Sequence, residues 1–100
     1  MAGKIYTINE IEAAVAPIAR AYGVERVALF GSYARGEATH ESDIDLRIDK
    51  GAISGYFELS GFQLELEDSL AIHVDVLTTG ALSDSFLKRI KGEEVVLYEQ

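Results

Sequence analysis

Apolar residues recur along the chain with two different periods, and the period changes from one segment to the next. Spacings of three and four predict helices, whereas short apolar or alternating runs predict strands. The helices are predicted over 8–22, 31–36, 54–70 and 82–91. The strands are predicted over 27–30, 43–49, 72–77 and 95–98. This alternation predicts an α/β fold, a small two-layer sandwich with a mixed β-sheet, in a single domain spanning 1–100.

Two of the predicted helices have clear local signals. Thr7 and Glu10 have the spacing of a capping box, in which each side chain satisfies a free backbone amide at the start of a helix. In 54–70 the apolar residues fall on one face, which is predicted to be buried. They are Tyr56, Leu59, Phe62, Leu66 and Leu70.

Composition narrows the class of protein. Apolar residues make up 48% of the chain, enough for one core, and the sequence has no cysteine with which to form a disulfide or a thiolate metal site. No apolar run has the length of a membrane span or of a signal peptide, so we expect a cytoplasmic protein without a membrane partner. The net charge of −8 argues against direct nucleic-acid binding, because phosphate backbones are held by clustered lysine and arginine.

Three aspartates carry the candidate chemistry. Asp43 and Asp45 are two residues apart on a predicted strand, so their side chains share a face. Asp75 lies between two valines inside the next predicted strand, where an apolar residue is usual. Two ionised carboxylates about 4 Å apart repel by about 4 kcal/mol at an effective dielectric of 20. A fold that gathers three of them needs a divalent cation, unless these acids simply solvate an exposed strand face.

A glycine and a serine favour the first of those readings. Gly31 and Ser32 follow the strand at 27–30 and open the short helix, and ten residues separate Ser32 from Asp43. Glycine lets a backbone approach a ligand closely, and the amides at a helix start attract phosphate oxygens. Gly-Ser alone is most often an ordinary turn, so the signal lies in its combination with Asp-x-Asp.

These motifs together resemble a known family. Gly31-Ser-Tyr-Ala-Arg-Gly-Glu37 followed by Ser42-Asp-Ile-Asp-Leu46 is similar to the signature of minimal nucleotidyltransferases, which have the polymerase-β-like nucleotidyltransferase fold. The similarity extends from the first helix through His73-Val-Asp75 to the final Val-Val-Leu-Tyr, and so covers nearly the whole chain.

The resemblance implies a role for each motif residue. The nucleotide-binding residues would be Gly31, Ser32, Arg35 and Ser42. The catalytic and metal-binding residues would be Asp43, Asp45 and Asp75. They would hold two Mg²⁺ ions, with Mn²⁺ as an alternative, and ATP would be the substrate. Arg35 would either contact phosphate or brace the loop. From its position on the strand, His73 should share a face with Asp75, so it either lines the site or, as the favoured alternative, is a structural core or edge histidine.

The resemblance also implies a partner, because so short a chain leaves little room for an acceptor site. In this family the partner is a small helical HEPN-type toxin, often a ribonuclease, which the nucleotidyltransferase neutralises by transferring AMP to a tyrosine. We therefore expect a hetero-oligomer and a protein hydroxyl as the acceptor. The alternatives are an antitoxin that neutralises a HEPN partner by contact without catalysis, and a stand-alone nucleotidyltransferase that modifies a small molecule.

Overall fold

The structure is a computed structural model that describes residues 4–100, so the first three residues of the predicted domain, 1–100, lie outside the described residues. The helices are α1 (Ile8–Tyr22), α2 (Ser32–Arg35), α3 (Tyr56–Leu70) and α4 (Asp84–Lys91). The strands are β1 (Arg26–Phe30), β2 (Ile44–Asp49), β3 (Val74–Thr78) and β4 (Val95–Glu99). The predicted order of helices and strands is confirmed, with one additional 3₁₀ turn at Thr79–Ala81.

The four strands form one mixed sheet in the order β3-β2-β1-β4. β1 is antiparallel to both β2 and β4, whereas β2 and β3 are parallel. A parallel pair needs a crossover connection, and α3 provides it. The mixed sheet predicted from the sequence is therefore confirmed.

The two faces of the sheet differ in chemistry. In β2 every second residue is buried, so Ile44, Leu46 and Ile48 face the core. α1 and α3 cover that face and complete the two-layer sandwich. Their fully buried apolar residues are Ile11, Val15, Ala19, Phe62, Leu66 and Leu70. The intervening residues of β2 face the opposite side, where α4 packs with Phe86 edge-on to Phe30 at 5.8 Å between ring centroids.

The helix ends follow the local signals with one exception. The capping box of Thr7 and Glu10 is present at the start of α1. In α3 the predicted buried face is wrong at Tyr56, which is 84% exposed. The helix begins at that residue, and its contacts with the core begin only one turn later, at Leu59. Within residues 4–100, none of the helices combines the length and apolar character needed to cross a bilayer.

Candidate functional site

The three aspartates converge at the start of the parallel strand pair. Asp45 and Asp75 are register partners in β2 and β3, so their side chains leave the same face of the sheet side by side. Asp43 lies just before β2, with the parity of Asp45. Ligand atoms of Asp43, Asp75 and His73 all lie within 4.8 Å of one another. The structure thus brings the predicted acids together.

Asp45 has the strongest electrostatic perturbation in this cluster. Burial, together with the neighbouring carboxylates of Asp75 and Asp43, raises the pKa of its carboxyl group from 3.8 to about 6. The guanidinium of Arg35 opposes this shift.

Gly31 brings the backbone directly against Asp45. It follows β1, where Phe30 pairs with Asp45, and it adopts φ +79° and ψ −158°. A Cβ atom at this position would lie 2.3 Å from Asp45 Oδ2. Only glycine allows this approach, and Ser32 then begins α2. The Gly-Ser turn and the acids therefore form one site.

The backbone amide of Gly31 already holds an oxyanion. It donates to Glu93 Oε2 at 2.6 Å, and Arg35 Nη1 donates to the same carboxylate at 3.3 Å. Arg35 Nε also donates to Glu37 Oε1 at 3.1 Å. In this structure Arg35 therefore braces the loop. Sequence reasoning missed Glu93, because a contact across 62 residues leaves no local pattern.

His73 lies closer to the site than its predicted structural place. Its Nε2 is 2.8 Å from Asp75 Oδ1, and its Nδ1 is 2.8 Å from Glu67 Oε2. The hydrogen bond to Asp75 raises the pKa of the imidazole, and burial opposes that shift only in part. The signal was present in the sequence, since His73 and Asp75 share strand parity.

A pocket of about 310 Å³ adjoins Gly31 and Asp45. α4 contributes a second residue that sequence reasoning overlooked, Arg89, whose guanidinium lies 4.9 Å from the ring centroid of Phe86. The residues that line the pocket are Phe30, Gly31, Arg35, Asp45, Phe86, Arg89, Ile90 and Glu93. Ser42 is not among them. Its hydroxyl accepts a hydrogen bond from the Thr39 amide at 2.8 Å and closes the loop before β2.

The donor set fits a divalent cation. Carboxylate oxygens are the ligands that magnesium and manganese take in proteins, often together with substrate phosphates. Three carboxyl groups meet here, and burial together with their proximity raises the pKa of Asp45. A cation at this point would offset the repulsion that the fold creates.

Comparison with known proteins places the chain in a family. The family model described as "Polymerase beta, Nucleotidyltransferase" matches residues 13–100. A candidate protein adenylyltransferase of Methanocaldococcus jannaschii, MJ0435, is 40% identical over 88% of this chain and 95% of its own length. Protein adenylyltransferase MntA of Thermococcus cleftensis is 30% identical over 89% of this chain and 94% of its own.

Solved structures agree with the fold. A candidate minimal nucleotidyltransferase superposes with a TM-score of 0.80 at 27% identity, over 93% of this chain and 98% of that one. A complex of a tri-AMPylated HEPN toxin of Shewanella oneidensis with its MNT antitoxin gives a TM-score of 0.71 at 17% identity, over 94% and 74% of the two chains. The chain belongs to the polymerase beta nucleotidyltransferase family.

Proposed function

We propose that this protein is a protein adenylyltransferase, which transfers AMP from ATP to a tyrosine hydroxyl of a HEPN-type toxin and thereby acts as its antitoxin. The observation that carries the proposal is the contact between the Gly31 backbone and Asp45. This contact places the Gly31 amide, which binds a carboxylate oxygen, next to the cluster of aspartates. Nucleotidyl transfer needs an amide that binds phosphate and acids that bind a cation at the same point.

Phosphate binding is supported by what Gly31 already binds. Its amide and Arg35 together hold the Glu93 carboxylate, which has the charge and oxygen geometry of part of a phosphate group. In the nucleotide complex the triphosphate takes the place of Glu93, and Arg35 exchanges a carboxylate for a phosphate. Ser32 adds a hydroxyl at the start of α2, while Ser42 keeps the loop before Asp43 closed.

The reaction is an in-line displacement at the α-phosphorus. The tyrosine oxygen bonds to that phosphorus as its bond to the bridging oxygen breaks, and pyrophosphate leaves. Asp75 receives the hydroxyl proton, and Gly31 with Arg35 holds the departing phosphates. Asp43, Asp45 and Asp75 are the residues that would hold the divalent cations. Magnesium or manganese, when bound, supplies charge neutralisation on the triphosphate and lowers the pKa of the attacking hydroxyl.

The choice of acceptor is supported by the relatives. The Thermococcus cleftensis relative is named a protein adenylyltransferase, and the Shewanella oneidensis complex contains an AMPylated HEPN toxin. The net charge of −8 favours a basic protein partner over a nucleic acid, because a protein that binds RNA presents cationic surface of its own.

The experiment is mass spectrometry of a HEPN partner after incubation with this protein, ATP and Mg²⁺. The partner should gain the mass of one AMP residue for each transfer, at a tyrosine, and its ribonuclease activity should fall in parallel. The Asp45→Asn variant should still bind the partner but leave the partner's mass unchanged. Glu12→Gln, an exposed acid on α1 at the other face of the sheet, is the matched control and should transfer normally.

Two outcomes would contradict the proposal in different ways. If Asp45→Asn neutralises the partner as well as the wild type at equal concentration, neutralisation is by contact. If label from ATP appears only on RNA or on a small molecule, the acceptor is not a protein.

A further inference from the structure

His73 is held between two carboxylates that belong to different elements. Glu67, in the last turn of α3, accepts from Nδ1, while Nε2 faces Asp75 on β3. Glu67 is itself fixed, because its Oε2 also accepts the Val74 amide at 3.0 Å. The ring is therefore oriented by a carboxylate on one side and directed at the acid cluster on the other.

We propose that Nε2 of His73 is a nitrogen ligand of the divalent cation held by Asp43 and Asp75, with Glu67 as the residue that positions the ring. This inference rests on the proposed function, since both use the same acids. The inference adds an imidazole nitrogen to the carboxylate oxygens that would hold the cation.

The distances suit a shared cation. Donor atoms of Asp43, His73 and Asp75 lie within 4.8 Å of one another, and Nε2 is 2.8 Å from Asp75 Oδ1. Two adjacent ligands of an octahedral ion with bonds of about 2.1 Å stand about 3 Å apart. The separation of Nε2 and Oδ1 is thus already close to that of two ligands on one ion.

The contact with Glu67 has the form expected behind a metal ligand. Histidines that bind metals donate their other ring nitrogen to a carboxylate, which fixes the tautomer and the ring orientation. Here Nδ1 makes that contact at 2.8 Å and leaves Nε2 directed at the acids.

A nitrogen ligand changes which cation the site prefers. Magnesium takes oxygen ligands, whereas an imidazole nitrogen suits the transition metals, for which the affinity of a mixed nitrogen and oxygen site rises from Mn²⁺ to Co²⁺. The site should therefore bind Mn²⁺ and Co²⁺ more tightly than Mg²⁺, and part of that preference should depend on His73. In a site made only of carboxylates, no part of the preference for Mn²⁺ and Co²⁺ over Mg²⁺ would depend on His73.

The decisive test is pulsed EPR of the full chain loaded with Mn²⁺, without an affinity tag. The chain has two histidines, so an imidazole ¹⁴N coupling to Mn²⁺ can be assigned by substitution. We expect the coupling in the wild type, its loss in His73→Gln and its retention in His40→Gln. Calorimetry should show Mn²⁺ affinity reduced by about tenfold or more in His73→Gln, with a smaller change for Mg²⁺. Glu67→Gln should weaken Mn²⁺ binding while the coupling persists.

The outcomes separate this inference from the proposed function. Mn²⁺ binding that depends on Asp45, without an imidazole coupling in the wild type, would overturn the role of His73 and leave the proposed function intact. In that case His73 only neutralises the neighbouring acids. If neither Mn²⁺ nor Mg²⁺ binds with or without ATP, the proposed function fails together with the ligand. If a His73 variant does not fold, the spectrum of His40→Gln decides the question, because His73 is then the one remaining histidine of the chain.

Discussion

A side chain at position 31 would collide with Asp45, and this makes Gly31→Ala an informative substitution. The new Cβ would overlap Oδ2, and the backbone at φ +79° and ψ −158° is available almost only to glycine. We expect a loss of more than about 3 kcal/mol in the free energy of unfolding, because strain and overlap add. Urea unfolding and ATP calorimetry should show both stability and nucleotide binding reduced.

Gly36→Ala is the matched control for that substitution. Its φ of +74° is similar, but a Cβ there would meet nothing within 4 Å. It should lose about 1–2 kcal/mol from the left-handed backbone alone and keep its affinity for ATP. Equal losses in the two variants would show that the contact with Asp45 has no consequence.

The raised pKa of Asp45 makes the stability of the metal-free protein depend on pH. The folded pKa of about 6 exceeds the ordinary value of 3.8, so the folded state retains a proton that the unfolded chain has released. The protonated carboxyl group of Asp45 therefore stabilises the folded state. This contribution to the free energy of unfolding is complete below about pH 4 and is lost as the pH rises through 6. Asp45→Asn removes the effect. Above pH 6 the variant should be more stable than the wild type by about 1–2 kcal/mol, after allowance for solvent screening.

Urea unfolding of the metal-free proteins at pH 4 and pH 7.5 checks this expectation. Glu12→Gln, exposed on α1, should follow the wild type at both values. If the difference between Asp45→Asn and the wild type is the same at both pH values, Asp45 does not titrate as described.

At the scale of single residues, the sequence was informative wherever a motif is contiguous. Gly31, Asp43 and Asp45 lie within fifteen residues; strand parity predicted that the two aspartates share a face, and the combined motif linked them to Gly31. Glu93 and Glu67 could not be predicted, because their roles come from the packing of α4 and α3 against strands far away in the chain. Ser42 shows the reverse case: its motif suggests a nucleotide contact, while its hydroxyl closes a turn with Thr39.

At the scale of elements, a partly buried ion pair joins β2 to the turn before β4. Arg47 donates to Glu94 at 2.5 and 2.8 Å, and the two side chains are only 12% and 11% exposed. A third hydrogen bond from Arg47 reaches Thr79 at 2.8 Å. Removal of one partner leaves a partly buried charge unpaired, so Arg47→Met should lose about 2 kcal/mol in the free energy of unfolding.

A double-mutant cycle with Glu94→Gln measures the coupling, which should exceed about 1 kcal/mol. The comparison pair is Arg26 and Glu99, whose side chains are more exposed, at 38% and 61%, and whose Nε and Oε2 atoms are 3.8 Å apart. Its coupling should stay below about 0.5 kcal/mol. Similar couplings for the two pairs would contradict the view that burial sets the strength.

The elements themselves were predicted well from periodicity, and the errors have a physical cause. The alternation in β2 was readable because one face packs against helices and the other carries the site. The start of α3 was misjudged at Tyr56, because a periodic pattern does not reveal where the core ends. A helix can extend its apolar face into solvent, and here the first turn does so.

At the scale of the whole molecule, ligand binding should be visible as stability. A ligand that binds only the folded state stabilises it by about 2.7 kcal/mol at a hundredfold excess over its Kd. For a domain of this size that corresponds to a rise in Tm of roughly 10 °C or more. ATP with Mg²⁺ or Mn²⁺ should raise the Tm further than the metal alone. In Asp45→Asn the additional rise in Tm caused by ATP should disappear. If the wild type also shows no additional rise with ATP, nucleotide binding is contradicted.

The contact of Glu93 with Gly31 has a consequence for how the molecule responds to ATP. The Gly31 amide is bound by a residue of the same chain: the Glu93 carboxylate, tethered by the fold, would compete with a phosphate for the amide at a fixed effective concentration. Under the proposed function, the apparent affinity for the triphosphate is the intrinsic affinity multiplied by the fraction of molecules in which Glu93 has withdrawn. The turn after α4 would then set the nucleotide concentration at which the site fills, although it need not touch the nucleotide itself.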